Sequence, residues 1–90
     1  MTVVYARHFD LRMTSVANEG VVLHLGSRQY FSVNETGASI LNALDRPRTL
    51  GELVTTVTDE YDVAPDVAEP TVRAFLDRCC SVDLLRAEEH

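Results

Sequence analysis

The chain has 90 residues, 46% of them hydrophobic, and a net charge of −6 from 8 basic and 14 acidic side chains. A chain this long buries about two thirds of the surface its unfolded form exposes, which supports one compact core and excludes two. No apolar run approaches the roughly 20 residues that cross a bilayer. An acidic chain whose basic residues, all arginine, lie scattered along the sequence is repelled by a phosphate backbone. We therefore expect a soluble single domain over 1–90 with no membrane or nucleic-acid partner. Met1-Thr2-Val3-Val4 lacks the charged and apolar regions of a secretory signal, so a cytoplasmic location is expected.

The run from Thr2 to Thr14 opens with Val3-Val4-Tyr5 and continues with Phe9, Leu11 and Met13 alternating with Asp10 and Arg12, the pattern of a strand with one wet face. Asn18-Glu19-Gly20 is a turn signal, after which Val21 to Leu25 reads as a second, more apolar strand. Gly26-Ser27-Arg28 makes a short reversal into Gln29 to Val33, whose aromatic and β-branched residues suit a third strand. Three such strands in succession form an antiparallel meander.

Asn34 follows without a spacer and suits a helix N-cap, and Glu35 adds a negative charge to the first turn. Ile40, Leu41 and Leu44 then share one helical face. Asp45-Arg46-Pro47-Arg48 breaks the pattern, and Thr49-Leu50-Gly51-Glu52 is a capping box that starts a second helix. That helix turns Leu50, Leu53, Val54, Val57 and Tyr61 inward and Thr55, Thr56, Asp59 and Glu60 toward water. Pro65-Asp66 opens a third helix that runs to about Val82 and has Ala68, Val72, Phe75, Leu76 and Cys79 on its apolar face. Pro70 either bends this helix or marks the first turn of a shorter one. Leu84-Leu85 docks back on the core, and Arg86 to His90 is expected to fray. The fold class is α+β, a three-stranded antiparallel meander followed by three helices, in the order of a winged helix-turn-helix.

Nothing in this arrangement points to catalysis. Cys79 and Cys80 are adjacent on a helix and diverge by about 100°, which favours neither a disulfide nor a shared metal site; they read as apolar residues of a reduced protein. His8, His24 and His90 lie far apart in sequence and read as ordinary surface or edge residues. No metal-ligand spacing or phosphate-cradling glycine loop is present, so no cofactor is expected. A small DNA-binding regulator is the competing reading of the helix pair. A recognition helix reaches bases and phosphates with its N-terminal residues. Here those are Pro65, Asp66, Val67, Ala68, Glu69 and Pro70, with two carboxylates and no cation.

The outer edge of the third strand carries no proline, lysine or internal charge to blunt it, and an open edge must be covered or used. Either a dimer partner or the third helix covers it, or a guest peptide adds a strand there and drops alternate side chains into a groove beside a helix.

The residues Tyr30-Phe31-Ser32-Val33-Asn34-Glu35-Thr36-Gly37-Ala38-Ser39-Ile40-Leu41, then Thr49-Leu50-Gly51-Glu52-Leu53-Val54, then Val72-Arg73-Ala74-Phe75-Leu76 and a closing Leu84-Leu85, resemble the PqqD-like family. That family includes the pyrroloquinoline-quinone biosynthesis protein D and the recognition elements for precursors of ribosomally made, modified natural products. The resemblance covers about Phe9 to Leu85, and two positions differ from the usual pattern: Thr71, where aspartate is frequent, and Asp83, where glycine is common.

The resemblance implies a non-enzymatic chaperone that takes the leader segment of a precursor as a fourth strand, antiparallel to the third, in the cleft beside the third helix. On this sequence it implies that the backbone of Gln29, Tyr30, Phe31, Ser32 and Val33 pairs with the leader. Tyr30 or Phe31, with Val72, Phe75, Leu76 and Cys79, would form the groove walls, and Arg28 or Arg73 would meet acidic leader residues. Alternation puts Phe31 and Val33 on one face and Tyr30 and Ser32 on the other, without saying which meets the groove. The short stand-alone chain is most similar to the leader-binding proteins of lasso-peptide pathways, which work with a separate leader peptidase. The alternative subtype serves a radical S-adenosylmethionine enzyme. A monomer or weak dimer is expected.

Overall fold

The computed structural model describes residues 2–16 and 19–89. In chain order the elements are β1 (Val3–Arg7), β2 (Leu11–Val16), β3 (Glu19–His24), β4 (Gln29–Val33), α1 (Glu35–Ala43), β5 (Arg48–Thr49), α2 (Leu50–Tyr61), α3 (Pro65–Ser81) and β6 (Leu85–Glu89). The strands form two antiparallel sheets, one in the order β2-β3-β4 and one in the order β5-β1-β6.

The meander and the three helices stand where the sequence puts them, with one division added. The predicted first strand is two strands, because the chain turns at His8 to Asp10. There the His8 N–H donates to the Leu84 carbonyl at 3.0 Å, and the Asp10 carbonyl accepts from the Leu25 N–H at 2.9 Å. These two bonds send β1 into one sheet and β2 into the other. Of the turn signal at Asn18-Glu19-Gly20, Asn18 lies outside the described residues, and Glu19 and Gly20 already belong to β3, opposite Val16 and Ser15. The reversal between β3 and β4 runs from Leu25 to Arg28, with Arg28 in the left-handed region at φ 57°.

The C-terminal stretch corrects an expectation. Leu85 to Glu89 does not fray but pairs with β1, from Arg7 opposite Leu85 to Val3 opposite Glu89. His90 lies outside the described residues. What brings this charged segment back is the end of α3. Asp83 takes the left-handed conformation at φ 64°, its N–H donates to the Cys80 carbonyl at 3.2 Å, and the Leu84 N–H donates to the Cys79 carbonyl at 2.9 Å. This is a Schellman closure, with the buried Cys79 and Leu84 supplying its hydrophobic contact. A left-handed residue here is the physical reason that glycine suits the position and that aspartate, which tolerates it, can replace glycine.

The caps hold as read. The Asn34 side chain accepts from the Gly37 N–H at 2.8 Å, and Thr49 and Glu52 form the reciprocal capping box of α2. α3 is one helix with Pro65 in its first turn, and it continues through Pro70. Pro70 deprives the Asp66 carbonyl of its helical donor, and Asp66 is exposed, so water can take that place. The predicted face of α3, Ala68, Val72, Phe75, Leu76 and Cys79, is buried throughout and shares one core with Ile40 and Leu41 of α1, Leu44 at its C-cap, and Leu53, Val54 and Val57 of α2. α1 lies directly on the meander. A Cβ on Gly20 would come within 2.8 Å of Val33 Cγ2 and 3.1 Å of Ala38 Cβ. Among the described residues, no helix is long and apolar enough to cross a membrane.

Truncation after Leu85 tests the role of β6. Removing most of its pairing with β1 is expected to lower stability by about 2–4 kcal/mol in urea denaturation, at roughly 1 kcal/mol per net hydrogen bond. An unchanged midpoint would return this segment to the status of a loose tail.

Candidate functional site

Among the described residues, β4 of the β2-β3-β4 sheet has a strand neighbour on one side only, with Phe31 opposite Val22 and Val33 opposite Gly20. In an antiparallel pair, alternate residues turn their N–H and C=O groups away from the partner strand. The other edge of the sheet, β2, carries the charged Arg12; β4 has no charge along its length.

Beside the free side of β4 runs a groove of about 490 Å³. Phe31, Ser32 and Val33 form its strand wall. Thr71, Phe75, Arg78 and Cys79 of α3 form the opposite wall, and Gly37 and Ile40 of α1 lie between. Phe31 and Val33, which share a face, are half-buried beside the groove, whereas on the other face Tyr30 is 73% exposed and Ser32, though exposed, still borders the groove. Gly37 sets the width. A Cβ there would lie 2.8 Å from Phe75 Cε1, 3.1 Å from its Cζ and 3.2 Å from Val33 Cβ, so the phenyl ring rests directly on helix backbone. Any side chain at this position would push Phe75 into the open space or α1 away from β4.

The predicted site residues separate into four groups. Phe31, Ser32, Val33, Phe75 and Cys79 line the groove. Gln29 and Tyr30 belong to β4 but do not line it, and Arg28 sits in the preceding turn. Val72 and Leu76 are 0% exposed and belong to the core behind the wall. Arg73 pairs with Glu69 along the outside of α3 at 3.2 Å and does not line the groove. The cation that does is Arg78, which sequence reasoning missed together with Thr71, Val82 and Leu84. A helical turn rotates each residue by about 100°, so residues on the flank of the apolar stripe rather than its centre meet the groove.

Two further expectations need correction. The arginines are not scattered in space: Arg7, Arg12, Arg46 and Arg86 line a second cleft, of about 550 Å³, at the other end of α1. His24 is not a surface residue; it is 6% exposed, accepts from the Ser27 N–H through Nδ1 at 3.2 Å, and lies 4.5 Å from the His8 ring. Its Nε2 is buried without a partner. Among the described residues, no group of three or more potential ligands is placed to hold a metal ion.

A family model described as coenzyme PQQ synthesis protein D matches residues 19–85. No match is found among curated protein sequences. Among solved structures, TbiB1 in complex with the TbiA(beta) leader peptide is 26% identical with a TM-score of 0.80, over 90% of this chain and 94% of that one. A lasso peptide synthetase B1 complexed with its leader peptide is 19% identical with a TM-score of 0.72, over 91% and 96%. The PqqD portion of Methylobacterium extorquens PqqCD, described as a functional, stand-alone recognition element, is 18% identical with a TM-score of 0.78, over 92% and 88%.

Burial pushes the Cys79 thiol up to about 11, against the opposing pull of Arg78, and also raises that of Cys80. A thiol raised in the folded state contributes stability that is complete below its unfolded value of about 8.5. That contribution is lost as pH rises toward about 11. Urea midpoints are therefore expected to fall on the alkaline side of about pH 8.5, and less steeply in Cys79→Ala. Native Cys79 should also resist alkylation at neutral pH. Equal alkaline slopes with and without the thiol, or rapid native alkylation, would contradict this assignment.

Proposed function

The chain belongs to the PqqD family, and we propose that it is a non-catalytic carrier that takes the leader of a ribosomally made precursor peptide as a strand added to β4 and delivers it to a processing enzyme. The observation that carries this reading is the coincidence of an unpaired strand edge with a groove along the same side. Backbone pairing supplies register, and the groove supplies anchorage. A few interstrand bonds at about 1 kcal/mol each fall short of the roughly 8 kcal/mol of micromolar binding. Apolar leader side chains must therefore enter the groove between Phe31 and Phe75, where each contributes about 2 kcal/mol. Arg78 lines this groove with no carboxylate in ion-pair reach among the described residues, so it has better support than Arg28 or Arg73 as the contact for an acidic leader residue.

The chain then accelerates processing by raising the local concentration of the leader at the enzyme, with no bond made or broken on its own residues. Two of the similar structures hold a leader peptide and one of them is a lasso peptide synthetase B1, which supports the lasso-pathway reading, with a leader peptidase as the downstream partner. A cytoplasmic location follows from a ribosomal precursor, and the free thiols Cys79 and Cys80 suit a reducing compartment. The DNA-binding alternative has little support, since the first turns of α3 expose Asp66 and Glu69 and no cation.

Isothermal titration with a synthetic leader from the adjacent reading frame tests the proposal. Binding at micromolar concentration is expected, and no heat at tens of micromolar would sink it. Phe31→Pro and Ser32→Pro distinguish the mode, because in an antiparallel edge strand one of the two N–H groups faces outward. One variant should keep its fold and lose leader binding by about tenfold or more, at roughly 1–2 kcal/mol for a lost bond and its geometry. Retained affinity in both would exclude strand addition.

A further inference from the structure

The second cleft is not used by this reading. It lies at the C-terminal end of α1, about 13 Å along the helix from the start of the groove, and shares no lining residue with it. Arg7, Arg12, Arg46 and Arg86 meet there, half of the chain's 8 basic residues in a molecule of net charge −6. Local neutralisation explains them only in part: after the Thr49 N–H and Arg48, Arg46 helps hold the Glu52 carboxyl below its ordinary value. Among the described residues, no carboxylate stands in ion-pair reach of Arg7, Arg12 or Arg46. Arg86 is paired with Glu88 at 2.6 Å, and the one acid in the cleft, Asp45, is engaged by Arg48 at 3.4 Å. Nor are they needed by the end of α1, whose Ala43 carbonyl already accepts from Arg48.

At the rim stands Phe9, 81% exposed, the most exposed large apolar residue described. It is held in place. Its ring stacks on His8 with centroids 4.8 Å apart and planes 18° from parallel, and His8 in turn lies against the buried His24. His8 is fixed by accepting the Asp10 N–H through Nδ1 at 3.1 Å. A pre-positioned aromatic knob beside three guanidinium groups without an ion-pair partner among the described residues, Arg7, Arg12 and Arg46, has the composition of an interface hot spot, where aromatic and arginine side chains dominate the energetics.

We infer that this cleft is the docking surface for an acidic face of the processing enzyme, with Phe9 entering an apolar recess in that face. The inference rests on the carrier function proposed above and gives the second of its two contacts a location. The unpaired positive charges call for a negative partner and would steer its approach. A projecting ring calls for a partner with a preformed recess, which a folded protein has and an extended peptide lacks. An extended polyanion is disfavoured by the 14 acidic side chains of the chain as a whole.

The test measures binding of the full chain to a leader peptidase from its own genome, without precursor, at low and high salt. Wild type should bind with an affinity that falls as salt rises. Arg12→Glu with Arg46→Glu should weaken it by about tenfold or more, and Phe9→Ala, whose ring is exposed and whose loss leaves the fold intact, should weaken it comparably. Leader titration of the same variants should give wild-type affinity, which keeps this inference separate from the groove. Peptidase binding that is absent in wild type, or unchanged in both variants, overturns it. So does an equal or higher affinity for duplex DNA, or a defect that appears only with full-length precursor. Loss of leader binding in wild type would count against the groove alone.

Discussion

The contact between Gly37 and Phe75 fixes the geometry on which the rest of this molecule depends. With no side chain at Gly37, the Phe75 ring and Val33 close on the space that a Cβ would take, 2.8 Å and 3.2 Å from its position. The strand, the short helix and the long helix are thereby held in one arrangement. β4 keeps its outer edge open, because α3 stands beside that edge as a wall rather than over it as a cover. An open edge is ordinarily a liability. Here a groove of defined width accompanies it, so only a chain with suitably spaced apolar side chains gains both pairing and burial.

Much of this was legible in the sequence because it is encoded locally. Asn34 and Thr49 mark helix starts through bonds within their own first turns, and the apolar stripe of α3 from Ala68 to Cys79 is buried residue for residue. What was not legible depends on contacts between distant segments. The break at His8 to Asp10 exists because Leu84 and Leu25 supply hydrogen-bond partners from elsewhere in the chain, and nothing in the alternation of Phe9, Leu11 and Met13 announces it. The sequence Leu85 to Glu89 has the composition of a loose tail and is a strand only because β1 lies alongside. Asp83, at a position where glycine is common, was the available signal, since the left-handed residue of a Schellman closure returns the chain toward the helix it has left.

The site divides in the same way. Period-two alternation separated Phe31 and Val33 from Tyr30 and Ser32, but the choice of groove face is a tertiary fact. On α3, residues at the centre of the apolar stripe, Val72 and Leu76, belong to the core, whereas the groove takes Thr71 and Arg78 from its flank. Four arginines separated by up to most of the chain's length meet in one cleft that no sequence window contains. A strand edge at one end of α1 and a cationic, aromatic surface at the other give a small acidic molecule two chemically distinct faces, suited to holding two partners at once. Under the proposed function, that separation lets a bound leader remain in place while an enzyme docks.

The central claim is that the outward backbone groups of β4 are free in the isolated chain and become paired by the guest. Amide hydrogen exchange of Gln29 to Val33, read residue by residue by NMR with and without leader peptide, addresses it directly. The account predicts that alternate amides of this strand exchange rapidly in the free protein and slow markedly on adding leader, while those facing β3 are protected in both. If the outward amides are already protected without leader, or remain fast when leader is bound, strand addition at β4 is contradicted.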